Sequence, residues 1–108
     1  MSVKTPHADC DQLYFCTFTC THWISLFQLT DTYEAVYKWF RIAHEKEYRF
    51  VAFVIMPNHL HVIVNTPTKN ARLNTLVSNG KRFIAYEMVK QLKKQQNQIV
   101  LKQLEDAV

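Results

Sequence analysis

The pair His59-Leu60-His61 is the local pattern with the clearest chemistry. It opens a run, His59 to Asn65, that reads as a strand with His59, His61, Ile63 and Asn65 pointing one way and Leu60, Val62 and Val64 the other. On a strand, side chains two positions apart leave the same face, with Cα atoms roughly 6.5 Å apart. Two imidazoles so placed can converge on one cation. Neutral imidazole suits Zn, Mn, Fe and Cu and can serve Mg in mixed oxygen and nitrogen sites. The plain alternative is two half-exposed histidines beside a turn. A second group is Cys16, Cys20 and His22, which would share a face if the strand continued. Along a strand, however, Cys16 and Cys20 stand about 13 Å apart. Two thiolates each about 2.3 Å from one zinc cannot be spaced that way without a sharp bend. They read instead as small buried hydrophobes. The single glycine excludes a Gly-rich phosphate loop and a Gly-x-Ser-x-Gly elbow.

Charge supplies a third signal. From Lys69 to Lys94 the basic residues are Lys69, Arg72, Lys81, Arg82, Lys90, Lys93 and Lys94, and the one acid is Glu87. Seven basic residues against one acid leave +6 there, while six against eight leave −2 elsewhere. Such a stretch is an electrostatic footprint for phosphate backbones, or else a solvated helix face. Among the aromatics, Tyr14, Phe15, Phe18 and Trp23 can stack bases, although core packing is the commoner use.

The elements that must position these residues follow from periodicity. Residues 1–11 read as a loose polar arm. Leu13 to Cys20 reads as a strand, with Leu13, Phe15, Thr17 and Thr19 on one face. Thr21 to Leu29 reads as an apolar loop. Asp31 and Glu34 resemble a capping box opening a helix that ends near Tyr48. Its apolar face is Tyr33, Val36, Tyr37, Phe40 and Ala43. Arg49 to Met56 is apolar and β-branched, a buried strand. Pro57-Asn58 is turn chemistry, so this strand and His59 to Asn65 form a hairpin. A long helix follows, Ala71 to Gln95, striped by Leu73, Leu76, Val77, Phe83, Ile84, Met88 and Leu92, with Gly80 as a weak point. A short helix, Ile99 to Ala107, comes last. The order β-α-β-β-α with a tail gives an α+β domain: one antiparallel sheet covered on one face by two helices.

The length, 108 residues, sets the expectation of one domain, and 48% hydrophobic with 20% charged residues is an ordinary globular composition. The longest apolar run falls far short of the roughly 20 residues that span a bilayer. No apolar stretch follows a basic start. Three cysteines, Cys10, Cys16 and Cys20, are an odd number. Together these point to a reducing, cytoplasmic setting rather than a disulfide scaffold.

The run Val54-Ile55-Met56-Pro57-Asn58-His59-Leu60-His61-Val62-Ile63-Val64 resembles the signature of the single-tyrosine, His-hydrophobic-His transposases. These are the insertion-sequence and REP-associated tyrosine transposases of bacteria. The resemblance covers roughly residues 11–95 and includes the aromatic strand and the basic helix. It implies a ferredoxin-like β-α-β-β-α-β core that cuts and rejoins single-stranded or hairpin DNA through a 5′-phosphotyrosine link. It gives His59 and His61 the role of holding a divalent metal, Mg or Mn, that polarises the scissile phosphate. Leu60 is the hydrophobic spacer.

The family's nucleophile lies after a fourth strand, on a helix resembling Tyr-Ile-His-x-Asn-Pro, with a third metal ligand four residues beyond the tyrosine. No such segment is present, so the expectation is an N-terminal fragment of such a domain, inactive alone. Tyr86, the tyrosine of the basic helix, is the weak candidate nucleophile. Its plus-four residue is Lys90, which cannot ligate a metal while charged. The alternative is a non-catalytic nucleic-acid-binding module derived from that domain. Without a fourth strand, Leu13 to Cys20 would be an edge strand, and an apolar edge without charge predicts a homodimer.

Overall fold

The structure, a computed structural model, describes residues 2–3, 13–67 and 72–106. The strands are β1 (Ser2–Val3), β2 (Leu13–Thr19), β3 (Arg49–Met56) and β4 (His59–Asn65), and the helices are α1 (Leu26–Thr30), α2 (Tyr33–Glu45), α3 (Leu73–Lys94) and α4 (Gln98–Asp106). The chain is α+β, with every strand pairing antiparallel in the order β1-β2-β4-β3. β4 lies between β2 and β3, and α2 carries the chain across it.

Alternation sets the layers. Leu60 and Val62 of β4 are buried with their pairing partners Phe18 and Cys16 on β2, and Val64 is buried too. Against this face pack Val36, Trp39 and Ala43 of α2 and Leu76, Val77, Ile84, Met88 and Leu92 of α3. Among the described residues no helix lies over the opposite face of the sheet. Burying the alternating aliphatic and aromatic side chains is the main stabilising contribution, about 25 cal/mol per Å² of apolar surface.

Several expectations need correcting. The apolar segment after β2 is not a plain loop: it forms a 3₁₀ turn, Thr21–Trp23, and then α1. Asp31 does not cap α2. Its φ and ψ of 50° and 46° end α1 in the left-handed region, and Thr32 occupies the N-cap of α2 without a side-chain cap bond. The buried face of α2 is turned toward Ala35 and Trp39, leaving Tyr37 exposed. β3 is not a buried strand. It is the sheet edge, and only Phe50, Phe53 and Ile55 face the helical layer, where Phe50 and Phe53 meet Phe40 with ring centroids 4.2 and 4.9 Å apart. Val51, Val54 and Met56 stay exposed. The outer edge of β2 is not bare either: Ser2 and Val3 pair with Thr17 and Cys16, within a segment that reads from sequence as a loose arm.

Gly80 is no weak point. It is buried where α3 crosses α2, and a Cβ there would lie 2.6 Å from Cζ2 of Trp39 and nearer still to its Cε2. Only a residue without Cβ lets the indole come this close to the helix. Both α2 and α3 end in a left-handed residue that is not glycine, Glu47 (φ 68°) and Gln96 (φ 57°). The next amides reach back five residues, Tyr48 N–H to Ala43 C=O and Asn97 N–H to Leu92 C=O. This is the Schellman closure that satisfies the last carbonyls. Asn97 Oδ1 then accepts from Val100 N–H and starts α4.

Candidate functional site

The strand registers set out the open face of the sheet in rows. Thr19, His59 and Met56 form the first row, Thr17, His61 and Val54 the second, Phe15, Ile63 and Ala52 the third, and Leu13, Asn65 and Arg49 the fourth. His59 and His61 are therefore neighbours on the middle strand, on the face away from the helices. Their ring centroids are 4.7 Å apart with planes at 80°. Both are half-buried.

Each ring is held from its Nδ1 side. His59 Nδ1 donates to Asn58 Oδ1 at 2.6 Å, which makes Nδ1 the protonated nitrogen and leaves the Nε2 lone pair free. His61 Nδ1 bonds Thr17 Oγ1 at 3.0 Å. Engaging one imidazole nitrogen fixes the ring and directs the other toward a ligand. The turn that carries Asn58 is itself fixed by the segment after β2. Cys20 N–H donates to Asn58 C=O at 2.9 Å and Phe27 N–H to Pro57 C=O at 3.0 Å.

Two imidazole nitrogens fit half of a divalent metal site. Among the described residues no group of three His, Cys, Asp or Glu could complete it. The four rows of the open face carry no carboxylate, so further ligands would be water or an oxygen of a bound anion. Cys16 and Cys20 take no part. Cys16 is fully buried on the helical face, and burial pushes its thiol up to about 11. Burial also raises Cys20, against amide hydrogen bonds from Leu26 and Phe27 that lower it. His22 turns away on an exposed 3₁₀ turn with φ of 54°. Cys10 and Lys69 lie outside the described residues.

The remaining basic candidates sit on the helical layer, not beside the His pair. Arg82, Lys90 and Lys93 fall with Tyr86 inside an arc of roughly 80° on α3, taking about 100° per residue. All four are exposed. Lys94 flanks that stripe. Lys81 lines an apolar groove with Phe18, Cys20, Ile84 and Leu104. Arg72, at the N-cap of α3, shares a cleft with Lys46 and Tyr48. Tyr86 is 68% exposed on the outward side of α3, while the histidines face out from the other side of the sheet. No described tyrosine shares the open face, since Tyr14 pairs with Val64 in the helix-facing set and the others lie on or beside helices.

Thr17 and Asn58 escaped the sequence reading as site residues, whereas Phe15 was already among the aromatics able to stack a base. Only the pairing of Thr17 with His61, 44 positions away, reveals the first. Asn58 read as a turn residue, and its role as a partner of the adjacent histidine needed the turn geometry. Comparison with protein-family models, curated proteins and solved structures finds no match for the chain. Among the described residues no helix is long and apolar enough to cross a membrane.

Proposed function

We propose that this chain is a single-stranded-DNA-handling domain of the single-tyrosine, His-hydrophobic-His transposase type, with the open sheet face as its DNA side. The observation that carries this reading is the pair of imidazoles side by side on that face, each tied through Nδ1 to a polar side chain. The sheet order β2-β4-β3, with α2 crossing over β4, supports the ferredoxin-like arrangement that the resemblance implies.

A divalent ion, Mg or Mn, bound there would supply Lewis-acid polarisation of a phosphate. The chain's own residues do the rest. His59 and His61 would present two imidazole nitrogens to the ion. Thr17 and Asn58 hold the rings. Leu60 anchors the strand in the core between them. Arg49 is the one permanent cation on the rows, and the absence of carboxylates leaves nothing there to repel a polyanion. The basic stripe on α3 is a second, separate surface for phosphates.

Because no described tyrosine stands at the His pair, this chain binds DNA without forming a covalent link to it. That favours the non-catalytic module as the second reading. As a homodimer, two copies would join through the free edge of β3, which exposes Val51, Phe53, Val54 and Met56, and sedimentation reads the mass.

The test is fluorescence anisotropy of a labelled DNA hairpin with single-stranded flanks. Binding should strengthen with Mn and fall steeply with salt, and His59→Ala with His61→Ala should abolish the Mn dependence alone. Salt-independent or undetectable binding by the wild-type chain would defeat the DNA reading.

A further inference from the structure

The third row of the open face holds a feature that the His pair does not explain. Phe15 is 38% exposed, and its ring stacks on His61 with centroids 5.5 Å apart and planes at 29°. Across the row, β3 shifts register between Phe50 and Ala52, so Val51 is bulged out and the small Ala52 stands opposite Ile63. Bulges re-aim side chains next to functional sites. Here the result is a shallow concavity of about 130 Å³ whose walls include Phe15, His61, Ile63, Ala52 and Val54.

From these features we infer that the concavity is a subsite for one nucleobase of single-stranded DNA, stacked on Phe15. The inference rests on the DNA reading above and adds the residues that receive a base. Its walls are apolar apart from the His61 ring and hold no carboxylate, lysine or arginine, as a flat neutral heterocycle needs. Its surroundings are a histidine pair on one side and Arg49 on the other, as the phosphates either side of that base need. Adjacent rows are about 7 Å apart along a strand, so a base in the slot belongs to a nucleotide next to a phosphate at the His pair. Base–aromatic stacking tolerates sequence, because every base has a π-face. The slot therefore adds affinity for single strands over duplexes, whose bases are already stacked.

The experiment uses the whole chain and a fluorescent oligothymidylate, with an abasic oligomer of equal length as control. Phe15→Leu keeps an apolar group outside the core but removes the π-face. It should weaken oligothymidylate binding roughly tenfold, within the range for loss of one stacked base. Phe15→Tyr should retain affinity, and Ala52→Leu, which fills the slot, should lose as much as Phe15→Leu. All four chains should bind the abasic oligomer alike. Equal oligothymidylate affinity in Phe15→Leu, with Mn and His59 dependence intact, would overturn the subsite and leave the DNA reading standing. No binding by the wild-type chain would overturn both. Sedimentation showing that Phe15→Leu dissociates a dimer without changing DNA affinity would assign the face to a second copy and overturn the subsite.

Discussion

Replacing Gly80 by Ala sets two physical rules against each other. Helix propensity alone favours Ala over Gly by about 1 kcal/mol in a helix interior. The structure opposes it. The new Cβ would overlap the Trp39 indole, 2.5 Å from Nε1 and 2.6 Å from Cζ2. The ring cannot retreat freely, because it is buried against Phe18 and Phe50 with centroids 5.2 and 4.9 Å away. Overpacking of this kind costs about 1–3 kcal/mol, occasionally more. With the upper end of that range taken for so close an overlap and the propensity gain subtracted, the expected net loss is about 2 kcal/mol, a fall in Tm of roughly 10 °C for a domain this size. Urea unfolding followed by circular dichroism measures it. Trp39→Leu removes the obstacle, along with an indole N–H that lacks a partner. The double variant should therefore recover at least 1 kcal/mol relative to additivity. A Gly80→Ala chain as stable as the wild type, or more so, would refute the close-approach argument.

Glu47→Gly and Gln96→Gly should each stabilise the chain, by up to about 1 kcal/mol, since both positions hold left-handed backbone that costs an L-residue; thermal melts check this. Cys16 is fully buried with its thiol pushed up from 9.0 to about 11. Between those values the unfolded chain loses this proton and the folded one keeps it, so stability falls as pH rises through that window. Urea midpoints of wild type and Cys16→Ala, compared at the two ends of the window, should show the wild type losing its advantage by about 2 kcal/mol. Thr17→Val removes the hydroxyl that holds His61 Nδ1 while keeping a strand-forming shape. It should lower Mn affinity about tenfold with little change in Tm, read by calorimetric titration and a thermal melt.

How far the sequence revealed the molecule depended on whether the signal was local. The alternation of His59 to Asn65 places both imidazoles on one face because the strand period admits no other arrangement. The α3 stripe from Leu73 to Leu92 is likewise buried as periodicity predicts, with Phe83 only half-covered. What failed depended on neighbours. β3 has the composition of a buried strand, yet its place at the edge is set by β4 pairing on one side only. Gly80 looks costly until Trp39, 41 positions earlier, is laid against it. Asp31 has the right spacing for a cap, but the preceding α1 takes it as its left-handed C-terminal residue. At the site, the sequence showed the histidine pair and not its supports, because Thr17 reaches His61 only through strand pairing. The basic residues read as one footprint, yet around a helix they divide among a stripe, a groove and a cleft.

The central claim, that His59 and His61 together hold a divalent cation, is tested most directly by NMR of the imidazole rings during titration with Mn. At substoichiometric metal, the signals of His59 and His61 should broaden together, while those of His22 and His44 stay sharp. His61→Ala should abolish the broadening of His59 as well, since one imidazole is left. Broadening spread evenly over all the histidines, or a His59 response that survives His61→Ala unchanged, would contradict the shared site.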